Sequence, residues 1–146
     1  MKFFFDNCIS PKIVEALRLL EGRGHQIVSL RERFPEDTED PVWIRALAHE
    51  GAWIIISGDP RISRGKAERA AWIESGLTTF FCGDAWQTRP LMKQASELVG
   101  WWDDIILASK IAPSGTGYML EFKTKAPKQI YPEKRAERKT KQRRKK

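Results

Sequence analysis

The sequence contains only two cysteines and two histidines in 146 residues, and it has no apolar run of the roughly 18 residues that a membrane-spanning helix needs. Cys8 and Cys82 are too far apart in the chain to predict a zinc site or a disulfide scaffold, and we expect both to be reduced thiols. His25 and His49 lack the spacing of metal ligands, and no Ser/His/Asp or Cys/His motif indicates a nucleophilic enzyme. The N-terminal residues also lack the pattern of a signal peptide. These absences lead us to expect a cytoplasmic protein without membrane contact.

Positive charge is scarce over most of the chain and concentrated at its end. Residues 1–122 hold 14 Lys and Arg against 17 Asp and Glu, whereas residues 123–146 hold 12 against 2, so the net charge of +7 divides into −3 and +10. A block of like charge is typically disordered and attracts polyanions through their phosphates. The tail therefore indicates RNA, DNA or an acidic protein as a partner, and a tail that only aids solubility is the alternative.

Short apolar segments alternate with helical patterns along the chain, which is typical of an α/β protein with a mainly parallel sheet. We predict strands at 3–5, 26–30, 53–57 and 78–82, and helices at 11–20, 41–50, 67–75 and 90–110. The predicted strands are apolar on both faces, as expected for a sheet that helices cover on both sides. We therefore predict a three-layer domain of four or so strands over residues 1–112. Residues 113–146 are predicted to form an extension, with an edge strand or arm at 118–122 followed by the basic, disordered tail.

Acidic residues follow several of the predicted strands or lie early in a predicted helix. They are Asp6, Asp59 and Asp84 after strands, Asp40 at the N-cap of the second predicted helix and Glu68 early in the third. Because the carboxyl ends of parallel strands meet at one edge of a sheet, we expect these carboxylates to share a cleft. Crowded carboxylates repel one another, and Mg²⁺ or Mn²⁺ neutralises them and lowers the pKa of a bound water that can attack phosphorus. The acids together predict metal-dependent phosphate chemistry, although each one alone also fits a helix cap or a turn.

Basic and aromatic residues near the same strand ends are candidates for substrate contacts. Arg61, Arg64 and Lys66 closely follow the third strand, and we predict that they bind substrate phosphates, with a solvated turn as the alternative. The six tryptophans are mainly predicted to anchor the core. Trp86 is the exception, because it lies beside Asp84 and is placed to stack on a base.

With these positions in hand, the chain resembles the PIN-like domains, and in particular the small VapC-type group, over roughly residues 1–86. The matching segments are 3–7 (FFFDN), 37–44 (DTEDPVWI) and 53–62 (WIIISGDPRI), with Glu68 beyond them. By position, the family's first three acids fall on Asp6, Asp40 and Asp59. Asp37 is an alternative to Asp40, which a proline follows, and no match fixes the fourth acid.

The resemblance implies a function as well as a fold. In that family the acids gather around Mg²⁺ or Mn²⁺ and cleave RNA, commonly as the toxin of a toxin–antitoxin pair, and its members are often dimers. It therefore implies RNA as substrate, an antitoxin protein as partner and a homodimer as assembly. Our main hypothesis is a metal-dependent endoribonuclease with Asp6, Asp40, Asp59 and Glu68 as catalytic residues. Its metal ligands would be Asp6, Asp40, Asp59 and Asp84.

Other functions fit fewer of the residues. A non-catalytic nucleic-acid-binding module that acts through the basic tail is the main alternative. A phosphoacceptor receiver domain would need a second acid at the first strand, where Asn7 follows Asp6. A phosphatase of the Asp-x-Asp type would need an acid at Cys8.

Overall fold

The computed structural model describes residues 1–59, 66–83, 85–121 and 126–132, and for residues 66–68 the backbone alone. Helices and strands alternate as the sequence predicts, and the α/β class is confirmed. The strands are β1 (Lys2–Phe5), β2 (Gln26–Ser29), β3 (Trp53–Ser57), β4 (Thr78–Cys82), β5 (Gly117–Leu120) and β6 (Lys128–Tyr131). The helices are α1 (Pro11–Leu20), α2 (Asp40–Glu50), α3 (Lys66–Ser75) and α4 (Leu91–Ile111), with a 3₁₀ turn at Leu30–Glu32.

The described strands form one sheet of six strands in the order β2-β1-β3-β4-β5-β6. The first five run parallel, and β6 pairs with β5 in the antiparallel direction. The sheet is therefore larger than the four or so strands that we predict from the sequence. The segment predicted as an edge strand or arm is β5, and it lies inside the sheet between β4 and β6, so the edge position was wrong. The division of the chain at residue 112 stays a prediction, although the sheet continues beyond that point.

Two hydrophobic clusters lie on the two faces of the sheet, because successive side chains of a strand point to opposite sides. Phe3 and Phe5 of β1 belong to the cluster that includes residues of α1 and α4. Phe4 belongs to the other cluster, with Trp43 of α2 and Trp72 of α3. Because both faces of the sheet are covered, β3 and β4 are buried at every position. This is the three-layer arrangement that the apolar strands predict.

The helices begin where the sequence places cap and proline signals. Ser10 caps α1, its hydroxyl oxygen accepts a hydrogen bond from the backbone N–H of Lys12, and Pro11 is the first helical residue. In α2 the N-cap is Glu39, so that Asp40 is the first residue of the helix and not its cap. Among the described helices, none is both long and apolar enough to cross a membrane.

Gly117 provides a test of how β6 is held on the sheet. A Cβ atom at this position would overlap the aromatic ring of Tyr131, which is buried against β5. We expect Gly117→Ala to displace β6 and to lower the free energy of unfolding by roughly 1–3 kcal/mol, the usual cost of overpacking. Urea denaturation measures the stability, and amide hydrogen exchange of residues 128–131 measures the pairing.

Gly100→Ala is the matched control. Gly100 lies within α4, and an added Cβ there would meet no atom within 4 Å. The same substitution should stabilise the protein by about 0.5–1 kcal/mol, because alanine has the higher helix propensity. Equal stability changes in the two variants would contradict the packing that we assign to Tyr131.

Candidate active site

The carboxyl ends of β1 and β3 form the candidate active site. The chain leaves β1 toward β2 on one side, whereas β3 pairs with β1 on the other side, so the strand order reverses between β1 and β3. Such a reversal opens a crevice at the carboxyl ends of the strands, and ligands bind there in open α/β sheets. Asp6 follows β1 directly and Asp59 lies two residues beyond β3. Phe5 is paired with Ile56, which places Asp6 opposite Ser57.

Asp6 is buried and accepts three hydrogen bonds at this edge. Its Oδ1 accepts from the backbone N–H groups of Cys8, at 3.0 Å, and Gly58, at 3.2 Å. Its Oδ2 accepts from the hydroxyl group of Ser57. The Ser57 Oγ in turn accepts from the backbone N–H of Asp59 at 3.1 Å. The carboxylate is therefore bound by the ends of both strands, and one hydroxyl joins it to the backbone of the second acid.

Burial dominates the electrostatics of Asp6. Only 5% of the residue is exposed. Desolvation raises its pKa from 3.8 to about 7, hydrogen bonds from Ser57, Gly58 and Cys8 oppose that increase, and the negative charge of Asp40 adds to it. The Asp6 carboxyl group therefore keeps its proton to a much higher pH than an exposed aspartate does, unless a cation compensates for its negative charge.

Asp40 and Asp59 lie near the same place. Asp40 is partly exposed, and its Oδ1 accepts a hydrogen bond from the indole N–H of buried Trp43 at 3.0 Å. Asp59 is buried, with 7% of its surface exposed. The pKa of the Cys8 thiol is raised to about 12, first by burial and then by the charges of Asp6, Asp59 and Asp40. All three carboxylates therefore act electrostatically on one thiol, and the structure brings them into one region of negative potential.

Other predicted residues fall outside what can be compared with the structure. Arg61, Arg64 and Asp84 lie outside the described residues, as do the side chains of Lys66 and Glu68. Asp37, the alternative to Asp40, is exposed in the loop before α2.

Within the described part of the chain, no three His, Cys, Asp or Glu side chains are grouped so that they could hold a metal ion. The acids share an edge and a field there, but they do not form a complete metal site.

Several polar contacts at this edge were not predicted. Ser57 donates a hydrogen bond to Asp6. In the sequence, Ser57 is only a single polar residue at the end of an apolar strand, and its role depends on the register between β1 and β3. The side-chain amide of Asn7 donates to the backbone carbonyl of Glu36, which attaches the turn after β1 to the loop before α2. Trp86 was predicted to stack on a base, and this prediction was wrong, because its side chain is fully buried.

The comparison with protein families agrees with this geometry. The chain matches the family described as "PIN like domain" over residues 1–84, which is more than half of its length, and it therefore belongs to the PIN-like domain family. PIN-like domains have a nuclease-type fold, and they typically bind metal. The finer assignment to the VapC-type toxin group stays a prediction. No curated protein and no solved structure shows a match to this chain.

The raised pKa of Asp6 predicts a pH-dependent stability. A carboxyl group whose pKa is about 7 in the folded state and near 3.8 in the unfolded state holds its proton longer when folded, so its contribution to stability is lost as pH rises from about 4 to 7. Asp6→Asn removes this titration and leaves an amide oxygen that can accept the same backbone hydrogen bonds. With a chelator present, we compare the free energy of unfolding of Asp6→Asn with that of the wild type. We expect this difference to shift by roughly 3 kcal/mol in favour of the variant when the pH rises from 5 to 8.

Urea denaturation at the two pH values measures this gain. Asp103→Asn is the control, because the Asp103 side chain is 85% exposed and its ion pair with Arg23 lies at the surface. This control should follow the wild type at both pH values. A stability difference between wild type and Asp6→Asn that is the same at pH 5 and pH 8 would contradict the raised pKa.

Proposed function

We propose that this protein is a metal-dependent endoribonuclease, with the carboxyl edge of β1 and β3 as its active site. The observation that carries the proposal is the buried carboxylate of Asp6, which both strand ends bind and which lies beside a thiol, Cys8, on which the charges of Asp6, Asp40 and Asp59 all act. Membership in a family with a nuclease-type fold supports the same function. The proposed substrate is an RNA phosphodiester, and the proposed biological role is that of a toxin held by an antitoxin protein.

The donor atoms at this edge fit Mg²⁺ or Mn²⁺ in chemistry. Hard divalent cations prefer carboxylate oxygens, and the nearby acids offer these at one edge of the sheet. An ionised carboxylate has about four acceptor positions, and Asp6 uses three of them within the protein. Asp6, Asp40 and Asp59 are the proposed ligands, and Glu68 or Asp84 would complete the set. When bound, the cation supplies Lewis-acid chemistry, polarising the phosphate and activating water.

The chain's own groups have distinct parts in this proposal. The hydroxyl group of Ser57 and the backbone N–H groups of Cys8 and Gly58 orient the Asp6 carboxylate and supply its hydrogen bonds while it is ionised. The indole N–H of Trp43 orients Asp40 in the same manner. Arg61, Arg64 and Lys66 are proposed to bind substrate phosphates, because guanidinium and ammonium groups match their charge. The basic tail would raise the local concentration of RNA without selecting its sequence.

RNA cleavage with added Mg²⁺ or Mn²⁺ tests the proposed activity. We expect cleavage that a chelator abolishes. Asp6→Asn or Asp59→Asn should reduce cleavage roughly a hundredfold or more, because loss of a metal ligand costs at least as much as loss of a residue that hydrogen-bonds to a ligand. Asp103→Asn is the matched control, since it removes the same charge from an exposed position on α4. Full cleavage by the Asp6 and Asp59 variants would contradict the mechanism.

The charge of the tail favours a second candidate, a nucleic-acid-binding module without catalysis. Residues 133–146 contain nine Lys or Arg and two Glu. Deletion of these residues is the suitable test, because it leaves β6 in place, whereas deletion from residue 123 would remove a strand of the sheet. If binding alone is the function, RNA affinity should survive chelation and fall steeply in the truncated protein, and no cleavage should occur. For a nuclease, the truncated protein should keep its metal-dependent cleavage with a higher KM.

A further inference from the structure

Trp86 connects the loop between β4 and α4 to the candidate active site. Its indole N–H donates a hydrogen bond to the backbone carbonyl of Cys8 at 3.3 Å, across 78 positions of sequence. Its own backbone is fixed on the other side, where its carbonyl accepts from the side-chain amide of Gln94 at 2.7 Å and from the backbone N–H of Arg89 at 3.1 Å. The centroid of its indole ring also lies 6.4 Å from the ring centroid of Trp101 in α4. Trp86 is therefore held by α4 and reaches the turn that carries Asp6.

The same indole lies against the turn that carries Asp59. A Cβ atom on Gly58 would lie 3.0 Å from Cδ1 of Trp86 and 2.9 Å from both Cβ and the carbonyl oxygen of Cys8. Gly58 thus permits an approach that any larger residue would prevent. Gln87 adds a hydrogen bond, because its side-chain amide donates to the carbonyl of Gly58 at 3.4 Å.

We propose that Trp86 and Gln87 are positioning residues, which hold the turn after β1 and the turn after β3 together and so fix the carboxylates of Asp6 and Asp59. Trp86 binds the first turn and packs on the second, and Gln87, the next residue, binds the second. Neither residue needs to touch substrate or metal. Their importance for catalysis rests on the proposed nuclease function, whereas their effect on the two turns can be measured without it.

Amide hydrogen exchange of the metal-free protein tests the positioning directly. The backbone N–H groups of Cys8 and Gly58 donate to Asp6, and that of Asp59 donates to Ser57. We expect Trp86→Phe to accelerate exchange at these three amides by about three- to tenfold relative to the amides of β4, since the change removes one hydrogen bond and part of the packing. Gln87→Ala should have a smaller effect in the same direction. Unchanged exchange at the three amides in both variants would overturn the proposal.

Two control variants separate positioning from general destabilisation. Trp102→Phe also removes an indole N–H and its hydrogen bond, here to the carboxylate of Glu21. Gln129→Ala removes a side-chain amide of β6 that donates to the backbone carbonyl of Pro132, the residue after the strand. Neither control should change exchange at Cys8, Gly58 and Asp59 relative to β4. A similar acceleration in the controls would show that the effect is not specific to Trp86 and Gln87, and would overturn the proposal.

Kinetics and Mn²⁺ binding then test the importance of this positioning for the reaction. In Trp86→Phe we expect a several-fold weaker affinity for Mn²⁺ and a lower kcat, with the KM for RNA unchanged, because the acids and not the RNA contacts are displaced. Normal Mn²⁺ affinity and kcat in a variant whose turns exchange faster would overturn the catalytic part. If the wild type neither binds Mn²⁺ nor cleaves RNA, the nuclease proposal fails, and the exchange data alone decide whether Trp86 and Gln87 hold the turns.

Discussion

The burial of the Asp6 carboxylate is the constraint on which the candidate site depends. A carboxyl group removed from water needs several hydrogen-bond donors, and β1 alone provides only the N–H of Cys8. The other donors, Ser57 and Gly58, come from the end of β3. They reach Asp6 only when the two strands are parallel neighbours with Phe5 opposite Ile56. A register shift of one residue would turn Ser57 to the other face of the sheet and leave the carboxylate without its hydroxyl donor. The pairing at the centre of the fold and the arrangement of the site are therefore one and the same set of contacts.

The rest of the molecule makes this pairing stable without contributing charge to it. β1 and β3 are covered on both faces, with α1 and α4 on one side and α2 and α3 on the other. Polar groups therefore occur where these strands end, and the reversal of strand order leaves space between the ends of β1 and β3. The loop after β4 brings Trp86 to the same place from α4. The site is thus assembled from segments far apart in sequence, and its geometry depends on long-range contacts.

The sequence predicts local features of this structure well and long-range ones poorly. The run Phe3-Phe4-Phe5 and the run at 53–57 predict buried parallel strands, and their final acids predict a common edge, because hydrophobic period and strand ends are local properties. The role of Ser57 depends on register, which no local pattern specifies. β6 was missed because its residues lie within a segment whose charge predicts disorder, while its position is set by Tyr131 packing on Gly117. Trp86 was misassigned for a related reason. A tryptophan near an acid has the same local sequence whether its ring faces solvent or the core, and burial of its ring is a property of the whole fold.

The charge distribution supports the proposed metal ion in addition to the ligand chemistry. RNA is a polyanion, and the edge that carries Asp6, Asp40 and Asp59 is negatively charged: after burial, the charges of these three acids are the next causes of the raised pKa of Cys8. Residues 1–122 are also net negative, so this domain by itself would repel the substrate that we propose. A divalent cation at the edge would offset most of this negative charge where the phosphate must lie, and the +10 charge of residues 123–146 would attract RNA from a distance. Attraction and chemistry would then reside in different parts of the chain. In such an arrangement the tail sets how often RNA arrives, and the carboxylates with their cation set whether a phosphate can stay close enough to react.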